Sequence, residues 1–460
     1  MMLNTQKLLT TGLTLVTLVA ISALLASIAP NHLISHVHLI AGAVIALAGT
    51  AVGIHRCRRG PGRFDPFHPL VIPLLYVAVS FLVPTWSLLI EDANLTGFTE
   101  ADLAPNTSFL MLVGVVSIML GLSSEWTPLS SSSAPEVRFD VRFHALVARV
   151  LLLLALVQAV RTWAGGGVLV RGIGQTTHDW DSSFGAFTLI FAPLAITILM
   201  GMRSDVTNRP LARWGDYALI GGIVAMNAIN GNRGQILIVG MVVLYSLTRT
   251  KVRAGQFLLL LLGFLTLLIF VSNYRTAVRA GNQTRFELDA AVEDLSVAAY
   301  TTGVTAALVP KYLPFADGST YFAAIVRQLP SPLANALFGP PLDTGNQAFR
   351  DMIGFTDPNH GFGYSLPAEG YLNYGIAGLV VSCFLFGLFL SWAHAKQNWP
   401  VATVVHLLYP ITLAAMPMLL RSDALGAVKS ILYPMVGAGM LHILAHLLWA
   451  RGSDLKSKLR

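Results

Sequence analysis

Apolar stretches about as long as a bilayer is thick recur from one end of this 460-residue chain to the other, and nothing else in the sequence constrains the fold as much. A run of roughly 20 apolar residues crosses the ~30 Å hydrocarbon core as a helix. Lipid offers no hydrogen bonds, so a spanning segment has to satisfy its backbone internally, which a helix does. We read such stretches at about 8–29, 36–54, 69–90, 107–124, 143–163, 185–202, 217–231, 235–248, 255–273, 374–394, 401–420 and 425–449. The apolar run of the first is too long for a cleavable leader, and a second span follows almost at once. The expected fold class is therefore all-α: a polytopic membrane protein with about 12 transmembrane helices, forming one integral membrane domain over residues 1–460. Charged residues make up only 12% of the chain against about 25% in soluble domains, which argues against a long soluble domain, a coiled coil, a disordered chain or a nucleic-acid binder. Cys57 and Cys383 fall in a basic loop and an apolar span, leaving neither a disulfide framework nor a CxxC metal site.

Positive charge sets the orientation. With the N-terminus in the cytoplasm, 18 of the 30 Lys and Arg fall in cytoplasmic segments and 16 of the 23 acids fall outside. This is the distribution that positive-inside insertion produces, so both termini are expected to be cytoplasmic. The net charge of +7 then records membrane orientation, not an acidic soluble partner.

One connection is unlike the others. After span nine the chain is expected to stay outside over residues 273–373, a length that usually signals function. Glu287–Leu308 and Tyr321–Phe338 read as amphipathic helices lying on the membrane, and frequent prolines favour a small, mostly helical cap over a sheet.

Arginine carries the strongest chemical signal. Arg233 sits in Asn230-Gly-Asn-Arg-Gly234, between two short apolar runs, and Arg275, Arg279 and Arg285 follow span nine in Asn273-Tyr-Arg-Thr-Ala-Val-Arg-Ala-Gly-Asn-Gln-Thr-Arg285. The guanidinium is a planar fork of donors suited to phosphate oxygens and is charged at any physiological pH. If span nine continues, Arg275 and Arg279 stand one turn apart on one helix face. A diphosphate head group is the natural occupant of such a cluster; any one of these arginines alone reads equally as a snorkelling anchor. Arg161, Arg171 and Arg421 flank spans on the same side and individually read as interfacial anchors.

The end of the long loop carries the second signal, Asp357-Pro-Asn-His360-Gly-Phe-Gly-Tyr364-Ser-Leu-Pro-Ala-Glu369-Gly-Tyr371-Leu-Asn373-Tyr-Gly375. His360 and Glu369 are candidates for proton transfer, while Tyr364, Tyr371 and Asn373 are candidates to stack on and hydrogen-bond a sugar. Glu369 also fits an acid placed in a first helical turn for its interaction with the dipole. His36 with His38, and His442 with His446, lack a carboxylate nearby in sequence, so no metal site is read. No phosphate-binding loop or dinucleotide fingerprint occurs, and no cofactor is expected.

Taken together, Asn232-Arg233-Gly234, the arginines after the next span, and a long outer loop running into Glu369-Gly-Tyr-Leu-Asn-Tyr-Gly-Ile-Ala-Gly378 resemble the O-antigen polymerase (Wzy) and oligosaccharide repeat-unit polymerase family, over about residues 217–380. The resemblance implies the GT-C-like plan of the polymerase and ligase superfamily. It implies a glycosyltransferase in the bacterial cytoplasmic membrane that polymerises undecaprenyl-diphosphate-linked oligosaccharides at the outer face, without nucleotide sugar or metal. By the same resemblance Arg233 would match the arginine after the short span, Arg275 or Arg279 would match the arginines that hold the diphosphate, and His360 and Glu369 would fall in the loop-to-helix segment. The implied partners are the lipid-linked oligosaccharide and the bilayer, with room for a chain-length regulator and none for nucleic acid. Related ligases carry Gly seven positions after the His, where this chain has Pro367. A ligase using another acceptor is one alternative. A secondary transporter is another, but such folds pair broken helices in matching halves, and the short pair here has no early counterpart.

Overall fold

The computed structural model describes residues 2–3, 31–59, 65–88, 100–124, 126–127, 141–164, 191–200, 211–230, 233–248, 254–280, 297–340, 342–354, 364–397 and 404–458. Apart from a two-residue antiparallel pairing of β1 (Met2–Leu3) with β2 (Trp126–Thr127) and a 3-10 turn at Val404–Leu407, the described elements are α-helices. The proposed first span, 8–29, lies outside the described residues. Helical segments Ser35–His55, Phe143–Arg161, Leu366–Lys396 and Ala424–Leu447 are long and apolar enough to cross a membrane, and shorter apolar helices run through 72–83, 106–122, 191–200, 235–247, 258–271 and 404–419. The chain divides into two compact units, each built from distant stretches of sequence.

The first unit takes residues 1–129, 289–395 and 418–428. Helices α1 (Asn31–Arg59), α2 (Ile72–Leu88) and α3 (Glu100–Leu122) pack against one another. In α1, His38 Nδ1 meets Ser108 Oγ of α3 at 3.1 Å. Into this group is inserted α9 (Val297–Leu308), which lies against α2 and α3. The expectation of an amphipathic helix on the membrane surface fails here: Ala298, Ala299, Thr301, Thr302, Val304 and Thr305 are all buried. The reason lies in the threonines. Thr302 donates to the Ala298 carbonyl at 2.7 Å and Thr305 to the Thr301 carbonyl at 2.6 Å, and the same hydroxyls meet Ser365 Oγ and the Tyr364 hydroxyl at 3.2 Å, so the helix and its neighbours satisfy them without water.

The predicted helix Tyr321–Phe338 is two helices, α10 (Ser319–Val326) and α11 (Ser331–Phe338), separated at Pro330, whose missing N–H and fixed φ end the first and start the second. Then come α12 (Gly345–Met352), packed on α9 and α10, and α13 (Leu366–Lys396). Helix α13 is interrupted at Tyr374–Gly375; Gly375 has φ 62° and ψ −147°, a conformation essentially confined to glycine. The break separates a short helix carrying Glu369 from the long apolar helix beyond it. The far end of α13 is tied to the end of α3 by Ser391 Oγ, which donates to the Ser124 carbonyl at 2.7 Å.

The second unit takes residues 130–288, 396–417 and 429–460. It contains α4 (Val141–Ala164), α5 (Phe191–Met200), α6 (Trp214–Ile229), α7 (Arg233–Thr248), α8 (Ala254–Ala280) and most of α14 (Leu408–Leu419) and α15 (Ala424–Lys458). An arginine inside an apolar span needs a partner. Arg149 of α4 finds one in Asp216 of α6, with Nε to Oδ1 at 2.8 Å and Nη2 to Oδ2 at 3.0 Å, and Nη2 also donates to the Leu211 carbonyl. Asp216 also accepts from the Arg213 N–H at 2.7 Å, so one carboxylate both caps α6 and holds α4. At the other end of α6, Asn230 Nδ2 donates to the Ala159 carbonyl at 3.0 Å.

Candidate functional site

Sequence places Glu369 four residues into α13, and the structure buries it to 1% exposure. Burying a carboxylate is costly without donors. Here Oε2 accepts from the Ala424 N–H at 2.6 Å, the first helical N–H of α15. The same terminus is capped by Asp423, whose Oδ1 accepts from the Gly426 N–H at 3.1 Å; its Oδ2 accepts from the Asn346 N–H at 3.2 Å, in the first turn of α12. Two carboxylates thus stand at two helix N-termini, whose unsatisfied N–H groups carry partial positive charge. Glu369 Oε1 has no hydrogen-bond partner among the described residues, although the Thr320 hydroxyl faces the carboxyl.

The packing around this centre is close. A Cβ built on Gly345 would stand 2.9 Å from both Glu369 Cδ and Tyr364 Cδ1, so α12 can approach only because this position has no side chain. Asn373, one turn after Glu369, donates through Nδ2 to the Glu369 carbonyl and to Thr320 Oγ1, both at 2.8 Å, and accepts from the Gly318 N–H at 2.9 Å. Tyr364 is fully buried against Phe349; its hydroxyl meets Thr305 Oγ1 at 3.2 Å and donates to the Ala368 carbonyl at 3.2 Å. Ser365 Oγ meets Thr301 and Thr302 at 3.1 and 3.2 Å. Burial pushes the Tyr364 phenol well above the ordinary tyrosine range, with Thr305 pulling the other way and the Glu369 charge adding to the rise. Burial, then Glu369, does the same to Tyr321. Both phenols stay protonated and can donate.

These contacts revise two expectations. Tyr364 and Asn373 do not offer a face to a sugar: both are 0% exposed and their polar atoms are committed to the protein, so they build the wall of the site. Tyr371 is partly exposed, its ring 6.5 Å from that of Phe315, and of the three expected sugar contacts it alone reaches the surface. Arg233 opens α7, and Arg275 and Arg279 lie in the last turns of α8, which does continue past the apolar run as an unbroken helix to Ala280. Arg285 and His360 lie outside the described residues.

Asp423 joins the site without having been among the residues expected of it, and Arg421, expected as an interfacial anchor, adjoins it. The Arg421 carbonyl accepts from the Tyr364 N–H at 3.2 Å, which ties the start of the Glu369 segment to the turn before α15 and sets a partly exposed guanidinium two residues from Asp423. The signal for Asp423 was readable, since Asp immediately before an apolar run is an N-cap pattern. Arg327 is taken up structurally: Nε and Nη2 donate to the Leu342 carbonyl at 3.1 and 2.7 Å, and Nη2 donates to Gln347 Oε1 at 2.7 Å.

Comparison with known proteins bears on this arrangement. The family described as O-antigen polysaccharide polymerase Wzy matches the chain over residues 83–451. No curated protein and no solved structure matches it.

Proposed function

The chain belongs to the O-antigen polysaccharide polymerase Wzy family, a group of membrane glycosyltransferase-like polymerases that act on lipid-linked oligosaccharide repeat units, and from that premise we propose the reaction and the residues that serve it. The substrate is an oligosaccharide on undecaprenyl diphosphate, and the chemistry runs at the outer face of the bacterial cytoplasmic membrane, with both termini in the cytoplasm. A hydroxyl at the non-reducing end of a new repeat unit attacks the anomeric carbon of the growing chain. The sugar–oxygen bond to the diphosphate breaks, the diphosphate leaves with the electron pair, and the hydroxyl proton passes to a protein base.

Charge develops on the leaving diphosphate, so fixed arginines stabilise the transition state more than the ground state. Arg233, Arg275, Arg279 and Arg285 are assigned that role, with Arg421 added because it adjoins the Glu369 segment. His360 and Glu369 are assigned to proton transfer, and Tyr371 to sugar contact. The observation that carries the reading is the buried Glu369, with one oxygen committed to the Ala424 N–H and the other without a partner among the described residues. A carboxyl held by one oxygen keeps a fixed direction, and the second oxygen, enclosed beside the Thr320 hydroxyl, has acceptor capacity left for a proton. The test incubates purified protein with a polyprenyl-diphosphate oligosaccharide. A ladder of products differing by one repeat unit is expected, and absence of any transfer from this donor overturns the proposal.

A further inference from the structure

The outer faces of α10 and α11 are apolar and unpartnered. Phe322, Ile325 and Leu329 point away from the buried Thr320, Ala323 and Ala324, and Leu333, Leu337 and Phe338 continue the surface on α11; Ile325 and Leu337 are 64% and 62% exposed. The Phe322 and Phe338 rings meet edge-on at 5.5 Å, joining the two faces. Residues 319–338 contain one charged side chain, Arg327, and its guanidinium is bonded to Leu342 and Gln347 of the protein. A helix pair facing water would carry charge on its outer side. The pair is tied to the start of the long apolar part of α13 by Asn373, which holds the Gly318 N–H and Thr320 Oγ1 at the start of α10 and lies two residues before the break at Gly375. Nearby in the chain, Lys311 Nζ lies 4.8 Å above the Tyr312 ring, and both are exposed, the pairing of amphipathic aromatic and cation found at lipid head groups.

We propose that the α10–α11 pair is an in-plane membrane element whose apolar face is covered by the acyl chains of the leaflet on which the cap rests, the outer leaflet in the orientation given above. The long apolar part of α13 likewise exposes Ile376, Val381 and Leu385, as a helix side turned to lipid does. It rests on the chain being a membrane protein and does not depend on the proposed reaction.

The experiment uses the full chain with Cys57→Ser and Cys383→Ser, single cysteines introduced at Ile325, Leu337 and, as an aqueous reference on α12, the exposed Asp351, each labelled with an environment-sensitive fluorophore in phosphatidylcholine vesicles. With acyl chains brominated near the head group, labels at 325 and 337 should lose about half or more of their emission, as for side chains ~5–10 Å into the boundary region. The label at 351 should be quenched by iodide instead. Iodide quenching at 325 and 337 equal to that at 351 overturns the proposal. Protection of either site from both quenchers also overturns it, because a protein surface, not lipid, would then cover the pair.

Discussion

Replacing Glu369 by Gln separates a proton acceptor from a structural cap. The Gln carbonyl can keep the Ala424 N–H bond, turning its amide toward the Thr320 hydroxyl, so side-chain volume and the cap of α15 both survive. What is lost is charge assistance: a hydrogen bond to an ionised group contributes ~1.5–3 kcal/mol and a neutral one ~0.5–1.5, a difference of about 1 kcal/mol. Relief from burying a charge offsets part of that. The expected thermal midpoint therefore drops by only about 2–4 °C, as for roughly 1 kcal/mol in a chain of 150–250 residues or more. Removing an obligatory general base, by contrast, lowers turnover ~10²–10⁴-fold, or about 3–5 kcal/mol of barrier. Ladder formation by detergent-purified protein, with melting followed on the same samples, reads both quantities. A Gln variant that melts within those few degrees yet extends chains within a few-fold of the parent rate would refute the proton-acceptor role and leave Glu369 as the group that fastens α15.

Arg275→Ala and Arg279→Ala should each abolish long polymer while the protein stays in the membrane at parental abundance; unchanged ladders from both would remove these residues from the mechanism. Arg421→Ala should reduce turnover while Arg421→Lys restores it only partly, because Lys lacks the bidentate fork; equal rates in all three proteins would return Arg421 to an anchoring role. Asp216→Ala should destabilise the protein by about 3–5 kcal/mol by leaving Arg149 uncompensated, seen as a large drop in melting temperature; a shift of a degree or two would show that the pair contributes little. Gly375→Ala forces a side chain into a glycine conformation and toward the Phe315 ring, costing about 1–3 kcal/mol; an unaltered melting curve would contradict the described break in α13.

The apolar helices were legible because lipid imposes a length and a composition that no other environment demands, and α8 and the long part of α13 follow their hydrophobic runs. The character of α9 was not legible in the same way. A count of threonines scores Thr301, Thr302 and Thr305 as a water-facing side, whereas their hydroxyls are satisfied by the helix's own carbonyls and by Ser365 and Tyr364, which lets that side pack inside the protein. The first-turn position of Glu369 could be read, but its cap partner is 55 residues away and the donor is a backbone N–H, which no side-chain pattern reveals. Arg149 and Asp216, 67 residues apart, were out of reach for the same reason. Tyr364 and Asn373 had the right chemistry for sugar contact, but burial decides whether a hydroxyl or amide faces ligand or protein, and burial is a property of the packed molecule.

The seating of α9 against α2 and α3 changes where this chain can be cut. Exchanging the whole of 273–373 with another polymerase, to redirect product specificity, would pull a buried helix out of its bed together with the hydroxyls that Ser365 and Tyr364 rest on. A graft that leaves both Val297–Leu308 and Tyr364–Asn373 in place keeps those contacts, and chimeras designed on those seams are the ones that should fold.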